Sequence, residues 1–402
     1  MKSRKRSEKL VLSYLAMRIQ APLPALVQYV GMPASTVMGI LSRLAQVGLV
    51  TKSGTLAGVR GRPMAIYKLQ LPKPVAACQF DGTQLVAGLL GTDLQIRCLE
   101  KMDLDRVETA VEAAKLVDQI LSRVESASGV NRGELEGLAL SINAVKTKGR
   151  ILMSSVLPWV NETAQDVFSS ELNVPVRLVH LPGVVAEYQK FTCQAPRSLV
   201  LFNVGDGIST HAIFSGRLFR GHSRLAGELG HIIADPAGPL CGCGRRGCLE
   251  AYCSGPAIYK HVLEELDSGV MCSLDRSRLA ACSPRQAMEE IGRAWCSGDS
   301  YIRAFMEQIL ERLGWGLGLV MNLMDPEYVA LGGYVLKDRP EWVEELIRRI
   351  PRWTLHAAGR RTKFEISRVS TEDELRGIGA GYYYAAGATK AIPDFQTVEN
   401  GD

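Results

Sequence analysis

A short glycine-rich segment that carries one histidine and three cysteines restricts the fold more than any other feature of this sequence. The donors are His231, Cys241, Cys243 and Cys248. One imidazole and three thiolates can surround a tetrahedral Zn²⁺, and the glycines between them give the loop the backbone freedom it needs. Four protein ligands leave no open position for catalysis, so we predict a structural zinc site. The alternative is a group of reduced cysteines that lie close together without a metal.

The length and composition bound the class of protein. A chain of 402 residues is too long for one ordinary domain and predicts two or three folded units. Its apolar stretches are interrupted before the ~20 residues of a membrane span, and the start lacks the apolar run of a secretion signal. We therefore expect a cytoplasmic protein with no membrane partner. The ten cysteines are dilute outside the segment above, which favours metal binding over disulfides.

The charge is unevenly distributed along the chain. Residues 1–74 contain twelve Lys and Arg and a single acid, Glu8, which gives this segment a net charge of +11 within a total of +5. The remainder therefore carries −6. A basic module on an acidic body predicts a polyanion as the partner of the module. The alternative is a basic terminus that is only solvated.

The basic segment has the pattern of a helix-turn-helix. Apolar residues recur at helical spacing over residues 8–19, a second short helix spans 25–30 and ends at Gly31, and Pro33 fits the first turn of a third helix. The apolar stripe of the third helix is Val37, Ile40, Leu41 and Leu44. Its other side is the face that a recognition helix presents to the major groove of DNA.

Two strand-like runs, residues 49–52 and 64–69, follow the third helix and flank a basic glycine-rich loop. This pattern predicts a β-wing, in which Arg60 and Arg62 suit contact with phosphate or a narrow minor groove. The alternative is a solvated flexible loop. We predict a winged helix-turn-helix domain over residues 1–70, which binds a double-stranded DNA operator, and a linker over 71–74. The candidate DNA contacts are Ser35, Thr36, Met38, Ser42, Arg43, Arg60 and Arg62.

The body, residues 75–402, alternates strands and helices and is predicted to be α/β. Strands are expected at 75–80, 83–90, 94–99, 135–142, 174–179, 198–204 and 328–331, and helices at 106–124 and 301–324. Two lobes that each open with β-hairpins fit this order.

The segment 227–250 resembles, residue for residue, the signature of the ROK family of repressors and sugar kinases. The resemblance implies an actin-like or hexokinase-like two-lobed ATPase fold and a homodimer or homotetramer. It also implies that His231 and the three cysteines hold zinc, and that Glu228, His231 and Glu250 face the hydroxyls of a sugar or sugar phosphate. The alternative for the two glutamates is that they only support the metal loop.

The sequence departs from the family pattern where phosphoryl transfer requires a general base. Kinases of the family carry an Asp after a Pro-Val strand, whereas here Leu181 stands at that position. Asp206 lies inside a second glycine-rich turn, where its carboxylate would repel ATP phosphates, and Val156 replaces a sugar-contacting Asn. We therefore predict no enzyme activity.

These features together predict a DNA-binding transcription regulator, a repressor of carbohydrate metabolism genes that responds to a sugar. Two alternatives remain open. One is a sugar kinase with a DNA-binding head, and the other is a ligand-independent module that binds DNA or protein.

Overall fold

The computed structural model describes residues 2–56, 63–80, 84–104, 107–142, 144–147, 150–154, 159–179, 185–186, 189, 198–215, 217–222, 225–355 and 361–385. Arg60, Arg62, Val156 and Leu181 lie outside the described residues, so what was predicted for them stays a prediction.

The N-terminal head consists of three helices and a small antiparallel sheet. The helices are α1 (Lys2–Arg18), α2 (Leu23–Val30) and α3 (Ala34–Gln46), and the strands are β1 (Gln20–Pro22), β2 (Val50–Leu56) and β3 (Met64–Leu69), in the order β1-β3-β2. Gly31 ends α2 with a φ of 68°, and α3 lies at 108° to α2. The short turn and the steep angle are those of a helix-turn-helix, and β2 and β3 pair where the strands of a wing were predicted.

Strand β1 was not among the elements predicted for the head. Pro22 pairs with Ile66 at the edge of the small sheet, where the missing N–H of proline costs no interior hydrogen bond. Pro24 lies in the first turn of α2, where its fixed φ fits a helix. Proline thus marks an edge strand and a helix start here.

The first lobe of the body is built on a five-stranded sheet in the order β11-β7-β4-β5-β6. Its elements are β4 (Val75–Phe80), β5 (Gln84–Leu90), β6 (Ile96–Asp103), α4 (Ala110–Ser128), β7 (Leu138–Ile142), α5 (Ala164–Leu172) and β11 (Val176–Val179), with a small sheet of β8 (Val145–Thr147), β9 (Arg150–Met153) and β10 (Val160–Glu162). Helix α4 begins after Thr109, whose side chain accepts a hydrogen bond from the Glu112 N–H, which is later than the predicted start at residue 106.

The second lobe repeats this topology. Its sheet has the order β14-β13-β12-β15-β16 and contains β12 (Ser198–Val204), β13 (Ile208–Phe214), β14 (Arg217–Leu218), β15 (Tyr328–Gly332) and β16 (Lys363–Ile366). The helices of this half are α6 (Glu250–Cys253), α7 (Gly255–Asp267), α8 (Arg276–Ala280), α9 (Pro284–Ser297), α10 (Ser300–Met324) and α11 (Pro340–Arg349). In both sheets the central strand starts an antiparallel meander on one side and pairs in parallel on the other. The predicted pair of lobes that open with hairpins is therefore confirmed.

A single buried apolar cluster runs from the head into the first lobe. It is completed by the C-terminal helix α12 (Thr371–Ala385), which packs against α1 and against the sheet of the first lobe. Members of the cluster are Val11, Leu15, Ile40, Leu44, Leu71, Val75, Leu90, Leu375 and Ile378. Leu71 lies within the predicted linker but is only 3% exposed, and its N–H donates to the Thr92 carbonyl at 2.6 Å. The head and the first lobe therefore share one core.

No single helix within the described part of the chain combines the length and apolar composition of a membrane span. Helices α2 and α3 meet that threshold only as a pair, across their 108° bend.

Candidate metal centre and DNA-binding surface

The loop that follows β14 folds back on itself and brings the predicted metal ligands together. Two isolated bridges, Ile233 with Cys248 and Leu240 with Arg246, hold its two sides. The Cys241 N–H donates to the Arg245 carbonyl at 2.8 Å, which closes a tight turn around Cys243. Gly247 has a φ of 73° and packs its α-carbon against the backbone of Asp235, so only glycine fits there.

The donor atoms of His231, Cys241, Cys243 and Cys248 all lie within 4.8 Å of one another. The Cys241 Sγ is 3.6 Å from the His231 Nδ1, and the Cys243 Sγ is 3.6 Å from the Cys248 Sγ. A tetrahedral ion with bonds of about 2.0–2.3 Å separates its ligands by about 3.5–3.8 Å. The spacing therefore fits one metal ion between the four donors.

The electrostatic surroundings of the thiols also fit a cation. Burial raises the pKa of the Cys241 thiol, so a bound cation is needed to keep it ionised at neutral pH. Burial opposes ionisation of Cys243 too, but hydrogen bonds with Arg245 and with the neighbouring thiols outweigh it and hold the pKa of this thiol below its ordinary value. The predicted ligand set is thus assembled as one candidate metal site.

The two predicted ligand-binding carboxylates lie next to this site. The Glu250 Oε2 accepts a hydrogen bond from the Ile208 N–H at 2.9 Å, and its Oε1 lies 4.0 Å from the Cys241 Sγ. Burial, with the nearby Glu250 charge, raises the pKa of Glu228 to about 7. Glu228, His231 and Glu250 are therefore neighbours, and Glu250 already fastens the metal loop to the start of β13. This contact matches the supporting role that the sequence left open for it.

Tyr252 is a supporting residue that the sequence interpretation missed. Its hydroxyl donates to the Asp235 Oδ2 at 3.2 Å, and the Arg312 guanidinium lies 4.1 Å from the centre of its ring. Tyr252 thereby joins the metal loop to the long helix α10. The only local signal is its position two residues after Glu250.

The second glycine-rich turn contains Asp206, as predicted, but with a partner that the sequence did not indicate. The hydroxyl of Tyr334 donates to the Asp206 Oδ1 at 2.6 Å, and both residues are less than 10% exposed. The Arg285 guanidinium lies 4.5 Å from the centre of the Tyr334 ring. This cluster lies at the carboxyl ends of β12 and β15, the edge where open α/β sheets bind ligands.

The candidate DNA-contacting residues of α3 differ in what they touch. Ser35, Thr36, Met38 and Ser42 are exposed on the outer face, and Met38 is 49% exposed. The exposure of Thr36 is compatible with the DNA contact predicted for it. Arg43 instead contacts Glu8 of α1 at 2.9 Å.

Curated relatives of the chain include both enzymes and a repressor. N-acetylmannosamine kinase of Citrobacter koseri is 34% identical over 189 residues, which are 45% of this chain and 62% of that protein. The xylose repressor of Caldicellulosiruptor bescii is 25% identical over 266 residues, 65% of this chain and 66% of that protein. The chain thus spans less than two thirds of the length of each of these two relatives.

Solved structures share the fold. A ROK family transcriptional regulator, described as a homologue of the E. coli MLC protein, covers 97% of this chain and 99% of its own, with a TM-score of 0.71 at 19% identity. A ROK family glucokinase from Streptomyces griseus, in complex with glucose and AMPPNP, covers 76% of this chain and 98% of its own, with a TM-score of 0.63 at 20% identity. The regulator matches the head as well as the body.

The sequence profile of the ROK family matches residues 75–385, which comprise both lobes, the cysteine-rich loop and α12. This match covers well over half of the chain and agrees with the resemblance seen in segment 227–250. The chain therefore belongs to the ROK family.

Proposed function

We propose that this protein is a sequence-specific DNA-binding regulator that represses genes of carbohydrate metabolism in response to a sugar or sugar derivative. The charge of residues 1–74 carries the proposal, because their one acid among twelve cations, Glu8, is buried and bonded to Arg43. The net charge of +11 in this segment suits the phosphate backbone of duplex DNA. The repressor and regulator among the relatives support this function.

The metal of the His/Cys cluster is proposed to be Zn²⁺, held by His231, Cys241, Cys243 and Cys248. The nitrogen and sulfur donors and the near-tetrahedral spacing are those of structural zinc sites. Four protein ligands close the shell, so the ion would fix the loop that carries Glu228 and Glu250. Its contribution is to folding, and the chain's own residues perform all recognition.

The proposed effector site lies against Glu228, His231 and Glu250. A neutral Glu228 can donate a hydrogen bond at acidic to neutral pH and accept one when ionised, while a carboxylate at Glu250 accepts, so the pair suits adjacent hydroxyl groups. This chemistry favours a sugar or sugar phosphate as the ligand.

The shared core of the head and the first lobe provides a route by which effector binding can be coupled to DNA binding. The effector residues belong to the second lobe, whereas the head is packed onto the first lobe through Leu71, Leu375 and Ile378. A ligand that changes the angle between the lobes would therefore move the head as one body with the first lobe. In a homodimer or homotetramer this motion changes the spacing of the paired heads, which is the two-state element that the regulation requires.

A second candidate, a sugar kinase with a DNA-binding head, is favoured by the kinases among the relatives. Two features argue against it. Leu181 stands at the position of the general base, and the Asp206 carboxylate occupies the glycine-rich turn where phosphate would bind. A third candidate is a ligand-independent module that binds DNA or a protein partner.

Genome-wide footprinting with the purified chain tests the proposal, because the genes beside the bound sites indicate the effector class. Sugars and sugar phosphates are then titrated into the protein–operator complex. We expect discrete sites beside carbohydrate genes, and at least one sugar that shifts the operator affinity. Hexose-dependent release of ADP would support the kinase instead, and unchanged DNA affinity across all sugars, with a protein captured from lysate, would support the ligand-independent module.

A further inference from the structure

Arg43 and Glu8 form an ion pair between the recognition helix and α1. The Glu8 Oε1 accepts a hydrogen bond from the Arg43 Nε at 3.0 Å, and the Arg43 Nη2 lies 2.9 Å from the same oxygen as an ion-pair contact. The Glu8 side chain is 8% exposed and that of Arg43 is 36% exposed. The pair joins residues that are 35 positions apart in the chain, so it fixes one helix against the other.

Gly39 stands one turn before Arg43 on α3, where recognition helices often carry a polar side chain. A Cβ at Gly39 would lie 3.7 Å from the Arg43 Nη1, which is an ordinary van der Waals distance. The guanidinium therefore passes over the face of the helix at Gly39 on its way to Glu8.

DNA would not readily displace Glu8 from Arg43. A buried carboxylate that loses this cation keeps its desolvation cost without this compensation, and the planar guanidinium is oriented by one hydrogen bond and one ion-pair contact to the same oxygen. A phosphate or base contact by Arg43 would therefore have to replace both contacts. The exposed part of α3 offers other residues that carry no such cost: Ser35, Thr36, Met38 and Ser42.

We propose that Arg43 is a positioning residue that sets the angle of the recognition helix through Glu8, and that base readout falls on Ser35, Thr36, Met38 and Ser42. This inference rests on the proposed DNA-binding function. It differs from the expectation that Arg43 contacts DNA directly.

The test measures specificity rather than affinity alone. The probe is the duplex that the wild-type full-length chain enriches from a randomised library, compared with a random duplex. E8Q makes the head more positive, so a purely electrostatic role predicts equal or tighter binding. The positioning role instead predicts that E8Q lowers the ratio of specific to random affinity by about tenfold.

R43Q is expected to lower the same ratio by a similar factor, and the double variant E8Q/R43Q no further than either single change. The matched control is K52Q, which removes one exposed cation of the wing and should weaken both duplexes equally. A double-mutant cycle in urea unfolding gives a readout of the ion pair that is independent of DNA.

Retained specificity in E8Q, or additive effects of the two changes, would overturn the positioning role while leaving the proposed function intact. A wild-type chain that enriches no duplex would instead remove the proposed function, and this inference with it.

Discussion

Tyr334 donates its hydroxyl to the Asp206 carboxylate and thereby joins two glycine-rich turns of the second lobe that lie 128 residues apart in the chain. The turns follow β12 and β15, which are parallel neighbours in the sheet. Gly255 at the start of α7 packs directly against the Tyr334 ring and leaves no room for a Cβ. Asp206, Tyr334 and Gly255 are therefore packed together at these strand ends.

The variant Y334F tests how much this bond contributes. Removal of the hydroxyl leaves the buried Asp206 carboxylate without this donor and should reduce the free energy of unfolding by about 1–3 kcal/mol. Urea unfolding measures the change. The control is Y259F, because the Tyr259 hydroxyl makes only an exposed contact of 3.4 Å to the Ala280 carbonyl. Equal losses in the two variants would contradict the role of the Asp206 contact.

The variant C243S should release the metal. Replacement of one of four donors weakens zinc binding by several orders of magnitude, and the loop loses its fold with the ion. Elemental analysis of the purified chain is expected to fall from about one zinc per chain towards zero, with a lower thermal midpoint. C296S serves as control because Cys296 is exposed and outside the ligand set. Full zinc content in C243S would show that Cys243 is not a zinc ligand.

The wing residues are tested by R60A/R62A. If both guanidiniums contact phosphate or the minor groove, operator and random affinity should fall together, and the slope of log affinity against log salt should decrease by about 1–2. Fluorescence anisotropy over a salt series measures this slope. K260A, which changes an exposed cation of α7 in the body, should leave it unchanged. An unaltered slope in R60A/R62A would exclude the wing from DNA contact.

His211 should make stability depend on pH. Burial, with the Arg220 charge, lowers the pKa of His211 from 6.5 to about 4. The folded state holds this ring neutral, so its contribution is present above pH 6.5 and is lost as the pH falls towards 4, by up to about 2–3 kcal/mol. Urea unfolding at pH 7.5 and pH 5 should show a smaller difference in H211Q than in the wild type. The surface variant H261Q is the control, and an identical pH dependence in H211Q would contradict the assignment.

The shared core predicts that the head and the first lobe unfold together. L375A removes a side chain that is fully buried between them and should cost about 2–4 kcal/mol. Hydrogen exchange should then accelerate in α1 and in the first-lobe strands by the same factor. L279A, a buried change in the second lobe, should leave the exchange of α1 unaltered. If L375A leaves the hydrogen-exchange rate of α1 unchanged, the head unfolds independently of the first lobe and the prediction is contradicted.

Local patterns predicted much of this molecule. The metal ligands could be found because three of them lie within eight residues of sequence, and β4 and β12 were predicted with their observed ends because both are short, mostly apolar segments. Contacts between distant segments could not be predicted. The partner of Asp206 is Tyr334 and that of Arg43 is Glu8, and neither follows from periodicity or spacing. Strand β1 was not predicted, because a proline fits a strand only at a sheet edge and the edge position of Pro22 depends on its pairing with the distant strand β3.

The buried position of Leu71 has a mechanical consequence. A DNA-binding domain on a flexible linker can reach its site whatever conformation the rest of the protein adopts. This one has no such freedom, since Leu71, at the start of the segment that joins it to the body, is itself part of the packed interior. The orientation of the DNA-binding head therefore depends on the whole first lobe. Substitutions far from the nucleic acid can misalign the head as effectively as changes on its surface.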